Sequence, residues 1–259
     1  MTGKDLRWKK RAEKLASAFA KRHRVVLSSN ERQLSAAFEI GSLHALLRFY
    51  RSQHYSIVPQ NLSTNDEYLY LTTPAGNPAN FSYVDISGVD GQFEVRQQVR
   101  VQSHVDPHIT FTPDIVVLQK GAQIDSSKHV EYAGGKRPFY RVASSSVVAA
   151  HECKSMNPFP ELLVSFIGML VAAHAWYPAS SNVLRSNTEG HLAPTLFVGG
   201  SSRALHLRMV SAMQTAYSIN ILCGLHEGTW SLVEAKNRLI WTPGGVKPAG
   251  LIKEEDIPF

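Results

Sequence analysis

Two short apolar runs that carry charged residues constrain this chain more than any other feature. The first, Ile109 to Leu118, contains Pro113-Asp114, and the second, Ser146 to Ser155, ends in Glu152-Cys153-Lys154. Both are dominated by β-branched and small apolar residues and read as strands. Turn formers bound them: Gly121 after the first, Gly134-Gly135 and Pro138 before the second, and Pro158 beyond. Strand side chains alternate between faces, so Glu152 and Lys154 share one face and Cys153 takes the other. An acid on the neighbouring strand can join that face. The expected result is a cation site with an ammonium group beside it.

The 259 residues, 44% of them hydrophobic, suffice for one large core, and a single domain over 1–259 is expected. Within it the reading places a basic N-terminal helix in 1–27, a core over about 28–220, and strands and a tail in 221–259. A balance of 27 basic to 21 acidic residues gives a charge of +6, which fits an anionic partner without specifying one. Two cysteines, Cys153 and Cys223, exclude a disulfide framework and a cysteine-rich zinc site. No hydrophobic leader is read in the basic N-terminal residues, and a reduced cytoplasm is the expected compartment. The longest apolar segment, Leu162 to Trp176, is interrupted by Ser165, Gly168 and His174 and is shorter than the roughly 20 residues a membrane span needs. It reads as a buried helix, with no membrane partner.

In chain order, residues 5–24 set Leu6, Leu15, Ala16 and Phe19 against Lys9, Lys10, Lys14, Lys21, Arg22 and Arg24 at helical spacing. That basic face is either solvated or in contact with phosphate. Ser28 to Glu31 has capping-box spacing and opens a helix running to about Tyr50. Glu39 falls on a side of it shared with leucines, where a carboxylate is costly unless paired or bound to a cation. Short strands are expected at Tyr55–Val58, Glu67–Leu71, Phe81–Ile86 and Phe93–Gln102, the last two forming a hairpin around Asp90-Gly91, with Arg96 and Arg100 on one face. The loop from Thr73 to Asn80 is a surface excursion. Beyond the central pair come a helix from Glu161, a strand at Pro194–Val198 and a helix over Arg203–Asn220. Gly199-Gly200-Ser201-Ser202 reads as a turn and N-cap before that last helix, or as a phosphate contact at its N-terminus. The apolar run Ile219–Leu225 follows, and then a strand over Thr229–Trp241.

The order of a helix with a buried Glu, strands, Pro-Asp at a strand, Glu-x-Lys ending the next strand, helix, strand, helix resembles the PD-(D/E)XK nuclease superfamily. The residues that carry it are Glu39, Pro113-Asp114 and Glu152-Cys153-Lys154, and it covers roughly Ser28 to Asn220. Glu-x-Lys alone arises about once in 280 positions by chance. Glu234-Ala235-Lys236 has the same spacing but follows no Pro-Asp strand and precedes no long apolar helix. The resemblance implies an α/β fold with a restriction-endonuclease-like core, a central mixed β-sheet flanked by helices. It further implies a metal-dependent endonuclease acting on DNA, in preference to RNA, in restriction, repair or phage defence.

On that resemblance, Asp114, Glu152 and the backbone carbonyl of Cys153 would bind Mg²⁺ or Mn²⁺, and Glu39 would bind through water. Lys154 would orient or deprotonate the attacking water. Lys9, Lys10, Lys14, Arg48, Arg51, Arg137 and Arg141 are candidates to neutralise nucleic-acid phosphates. Pairing as a homodimer would allow two strands to be cut. A non-cleaving nucleic-acid-binding or interaction module on the same fold is the competing expectation.

Overall fold

The computed structural model describes residues 14, 31–89, 91–106, 108–127, 138–174, 191–217, 219–226, 232 and 241–242. Helix α1 (Glu31–Ser52) leads into strand β1 (Ser56–Gln60) and the hairpin of β2 (Tyr83–Gly88) and β3 (Gly91–Gln97). Short strands β4 (Arg100–Gln102) and β5 (Thr110–Phe111) follow, then β6 (Ile115–Gln119), β7 (Asp125–Ser127), β8 (Phe139–Val142) and β9 (Val147–Lys154). The chain continues through α2 (Pro160–His174), β10 (His191–Leu192), β11 (Thr195–Val198), α3 (Ala204–Ala216), β12 (Asn220–Leu222) and β13 (Trp241–Thr242).

Seven strands form one mixed sheet in the order β1-β2-β3-β6-β9-β11-β12. The half from β1 to β9 is antiparallel, while β9, β11 and β12 run parallel. The change of direction falls at β9, the strand carrying Glu152 and Lys154. α2 bridges β9 to β11 and α3 bridges β11 to β12, as parallel neighbours require. β1 forms an edge and contains Pro59, which has no N–H to offer a further neighbour.

The sheet is covered on both faces, and the strand sequences show it. Phe197 packs with α1 and the side of Val117, Ala149 and Cys153, while its neighbours Leu196 and Val198 pack with Leu163, Phe166 and Leu170 of α2. On β6, Ile115 and Val117 face α1, whereas Val116 and Leu118 meet Val99, Val101 and Val142 of a second, four-stranded sheet, β5-β4-β8-β7. Strands buried on both faces read as unbroken apolar runs, which is why β6 and β9 stand out in the sequence.

The expected elements need several corrections. Glu67–Leu71 is not a strand. There the Leu69 N–H donates to the Ser82 hydroxyl and the Leu69 carbonyl accepts from Ser82 N–H, so one serine takes the groups a ladder would use. Phe93–Gln102 is not one strand: it breaks after Gln97, where Gln98 takes a left-handed φ of 52°, and β4 joins the other sheet. Arg96 and Arg100 consequently share no face. Arg96 pairs with Glu94 at 2.7 Å and lies over the Tyr83 ring, and Arg100 lies over Phe139. Ile109–Leu118 likewise divides at Thr112-Pro113-Asp114 into β5 and β6.

The hairpin is tighter than expected, with Gly88 opposite Gly91, whose φ of 136° suits glycine alone. The last helix ends at Ala216, short of Asn220, and its cap position is Arg203 instead of a serine, the Arg203 N–H being accepted by His206 Nδ1. In the expected strand Thr229–Trp241 only Leu232, which is helical, and Trp241, which starts β13, are described. The capping serine Ser28 lies outside the described residues. Among the described residues no helix is long and apolar enough to cross a membrane.

Candidate active site

The registers of the sheet fix where the charged residues meet. Ile115 is opposite His151 on β9, so Asp114, one residue before β6, stands level with Glu152. On its other side Gln97 is opposite Ile115, which brings Gln98 level with Asp114; the Gln98 N–H donates to the Asp114 carbonyl at 3.1 Å. Three strand ends thus set Gln98, Asp114 and Glu152 in one row, and Lys154 follows Glu152 on the same face. Glu39 reaches this row from α1.

The side chains are tightly joined. Lys154 Nζ donates to Glu152 Oε2 at 2.6 Å and to Asp114 Oδ2 at 3.1 Å. The Cys153 N–H donates to the same Asp114 oxygen at 2.7 Å. Gln98 Nε2 donates to Asp114 Oδ1 at 2.8 Å and to Glu39 Oε2 at 3.2 Å. Asp114 therefore has both oxygens fixed. The three acids are all buried, at 7% to 8% exposure, so their charges act on each other with little screening by water.

Burial pushes the Glu39 carboxyl up to about 8, with the Asp114 charge adding to it and Gln98 and Lys154 opposing it. Glu152 is pushed up to about 8 for the same first reason, burial, and again by Asp114, against the pull of Lys154. Burial would lower the Lys154 ammonium, but Glu152 and Asp114 outweigh it and hold it above its ordinary value. Fully ionised, three carboxylates and one ammonium would leave a charge of 1 − 3 = −2, a surplus that adds to burial in raising Glu39 and Glu152.

A divalent cation fits this donor set by charge and by chemistry, since carboxylate oxygens suit Mg²⁺ and Mn²⁺. Among the described residues no three His, Cys, Asp or Glu side chains are arranged as a ligand sphere. The contacts between acids are instead made through Lys154 and Gln98.

The expected site residues divide accordingly. Glu39, Asp114, Glu152 and Lys154 come together, and the Cys153 side chain turns into the apolar core beneath α1. Burial holds the Cys153 thiol well above its ordinary value, as befits a packing residue. Arg48 and Arg51 are exposed on the C-terminal half of α1, and Arg141 lies on β8 in register with Arg100 and Asp125. Lys14 is helical and exposed, while Lys9, Lys10 and Arg137 lie outside the described residues.

Gln98 was not legible as a site residue. Phe93, Val95, Val99 and Val101 keep an even alternation across it, yet the first pair packs against α1 and the second against the other sheet. A close-packed turn also borders the cluster: Gly199 N–H donates to the Lys154 carbonyl at 2.8 Å. A side chain at Gly199 would strike the His226 ring, and one at Gly200 would strike Asn157. No family model matches the chain, and no curated protein or solved structure is significantly similar to it.

Proposed function

We propose that the chain is a metal-dependent endonuclease that hydrolyses phosphodiester bonds of DNA. The observation that carries this reading is the convergence of Lys154 on Glu152 and Asp114, at 2.6 and 3.1 Å, with Glu39 tied in through Gln98. The element order supports it: α1 with buried Glu39, antiparallel strands, Asp114 ahead of β6, Glu152 and Lys154 ending β9, then α2, β11 and α3. That is the order expected of a restriction-endonuclease-like core of the PD-(D/E)XK kind.

Asp114, Glu152 and the Cys153 carbonyl would hold Mg²⁺ or Mn²⁺ directly, with Glu39 joining through water. When bound, the cation supplies positive charge for the transition state and a nucleophilic water near neutral pH. The chain's own part begins with Asp114, whose oxygens are oriented by Gln98 and the Cys153 N–H, so that little reorganisation is needed. Lys154, held as an ammonium by its acid neighbours, is suited to donate a hydrogen bond to the attacking water or to a phosphate oxygen. Its raised pKa favours that orienting role over removal of a proton. The basic residues Lys9, Lys10, Lys14, Arg48, Arg51, Arg137 and Arg141 would neutralise neighbouring phosphates, and two copies would pair to cut both strands.

The test is cleavage of supercoiled plasmid, linear duplex, single-stranded DNA and RNA with Mg²⁺, Mn²⁺ or EDTA, for wild type and Glu152→Ala. Metal-dependent cutting of DNA that is lost in the variant is the expected result. Nucleic-acid binding without cutting under any condition would replace the enzyme with a binding module.

A further inference from the structure

The second half of α1 borders a cavity of about 500 Å³ that the carboxylate cluster does not reach. Arg48 lies nine positions beyond Glu39, about 14 Å along the helix axis. The cavity is bordered on the far side by Leu62 and by residues 65–70, which include most of the expected strand Glu67–Leu71, found irregular. Its volume falls within the range of small-molecule sites.

The lining is graded in chemistry. Leu43 and Leu47 of α1 with Ile57 and Val84 of the sheet make an apolar base. Tyr68 and Tyr70 form an aromatic wall with their rings 4.6 Å apart. The two hydroxyls differ: Tyr70 is bonded to His44 Nε2 at 2.7 Å, whereas the Tyr68 hydroxyl is buried with no hydrogen-bond partner among the described residues. Arg48 and Arg51, both exposed and three positions apart on one helix face, stand on the α1 side of the cavity. Asp66 and Glu67 lie across from them on the loop side.

We propose that this cavity binds one nucleoside phosphate, its base against the tyrosines and its phosphate on Arg48 and Arg51. Two cations three residues apart match a single phosphate, which guanidinium groups recognise through paired hydrogen bonds. The apolar base and aromatic wall accept a flat ring, and tyrosine faces tolerate any base. Asp66 and Glu67 provide acceptors for ribose hydroxyls or a ring amino group, which inorganic phosphate lacks. The nucleotide could come from a free mononucleotide or from an unstacked nucleotide of a nucleic-acid strand, and both carry this chemistry. The inference uses none of Glu39, Asp114, Glu152 or Lys154, so it and the proposed nuclease activity stand or fall separately.

The experiment is calorimetric titration of the full chain, without divalent metal, with ribo- and deoxyribonucleoside 5′-monophosphates, single-stranded tetranucleotides and inorganic phosphate. Wild type is to be compared with Arg48→Ala/Arg51→Ala and with Tyr68→Leu, each checked for native circular dichroism and melting. The expected result is binding of nucleotides at least tenfold tighter than inorganic phosphate, reduced tenfold or more in the double arginine variant and a few-fold in Tyr68→Leu, which removes one ring of the aromatic wall. Tighter binding of tetranucleotides than of mononucleotides would name a strand as the source, and the reverse a free nucleotide. Absence of nucleotide binding, equal affinity for inorganic phosphate, or unchanged affinity in the folded double arginine variant would each overturn the proposal.

Discussion

The two ends of α1 differ in how their charges are handled. Near Glu39, three buried carboxylates, one ammonium and one amide are joined by hydrogen bonds to each other and to the backbone, and full ionisation would leave a negative surplus. Near Arg48 and Arg51 the cations are exposed beside an open cavity, walled in part by the rings of Tyr68 and Tyr70. One end is preorganised and asks for a cation; the other is open and asks for an anion. A single buried helix thus connects two sites of opposite electrostatic demand, and a change at one should leave the other intact.

The largest break in that contrast should come from Asp114→Asn. It removes the acid that Lys154, Gln98 and the Cys153 N–H all hold, and cleavage should fall by about a thousandfold, corresponding to several kcal/mol of transition-state stabilisation. Nucleotide binding at the Arg48 end should be unchanged in the same protein. Single-turnover cleavage and calorimetry on one preparation check both halves.

Lys154→Ala should reduce cleavage by about a hundredfold while leaving a cation site, since the carboxylates remain. Its effect on stability should depend on pH. Without the ammonium the acids lose the charge that opposes them, so melting should drop more at pH 8 than at pH 5, where the acids take up protons. Thermal denaturation at the two pH values reads this directly.

The acids themselves give a signed pH dependence. Glu39 and Glu152 are raised from 4.5 to about 8 in the folded chain, so the folded state holds more protons than the unfolded state between those values. Metal-free stability should therefore fall as pH rises from about 4.5 to 8 and level off above. Glu39→Gln should flatten this slope, and urea denaturation across the window would reveal a failure to do so.

The smallest effect expected is that of Gln98→Gly. Glycine accepts the φ of 52° that costs glutamine about 1 kcal/mol, so stability should change little. Loss of the amide that holds Asp114 and Glu39 should still lower the cleavage rate several-fold. A rate equal to wild type would show that the bridge positions nothing.

How much of this was readable beforehand follows from burial. β6 and β9 are apolar on both faces, so Val116-Val117-Leu118 and Val147 to Ala150 announce themselves, and the acid and lysine at their ends follow from period-two alternation. α1 could be recognised from its leucines, and Glu39 stood out as a carboxylate among them. What failed was where single side chains decide the backbone. Ser82 bonds Leu69 and removes a strand, and Gln98 turns left-handed between Phe93-x-Val95 and Val99-x-Val101, which keep the same parity on both sides of Gln97-Gln98. Neither event changes the hydrophobic pattern, and Gln98 therefore could not be assigned to the site from sequence. The cavity beside Arg48 was equally hidden, because its loop wall was expected to be a strand.

Calorimetric titration with Mn²⁺ at pH 6 and pH 8, on wild type and Asp114→Asn, tests the central claim most directly. The account predicts Mn²⁺ binding to wild type that is tighter at pH 8, with protons released as the raised acids ionise, and loss of that binding in the folded variant. Absence of Mn²⁺ binding at both pH values, or binding that Asp114→Asn leaves unchanged, would contradict a cation site built from Asp114, Glu152 and Glu39.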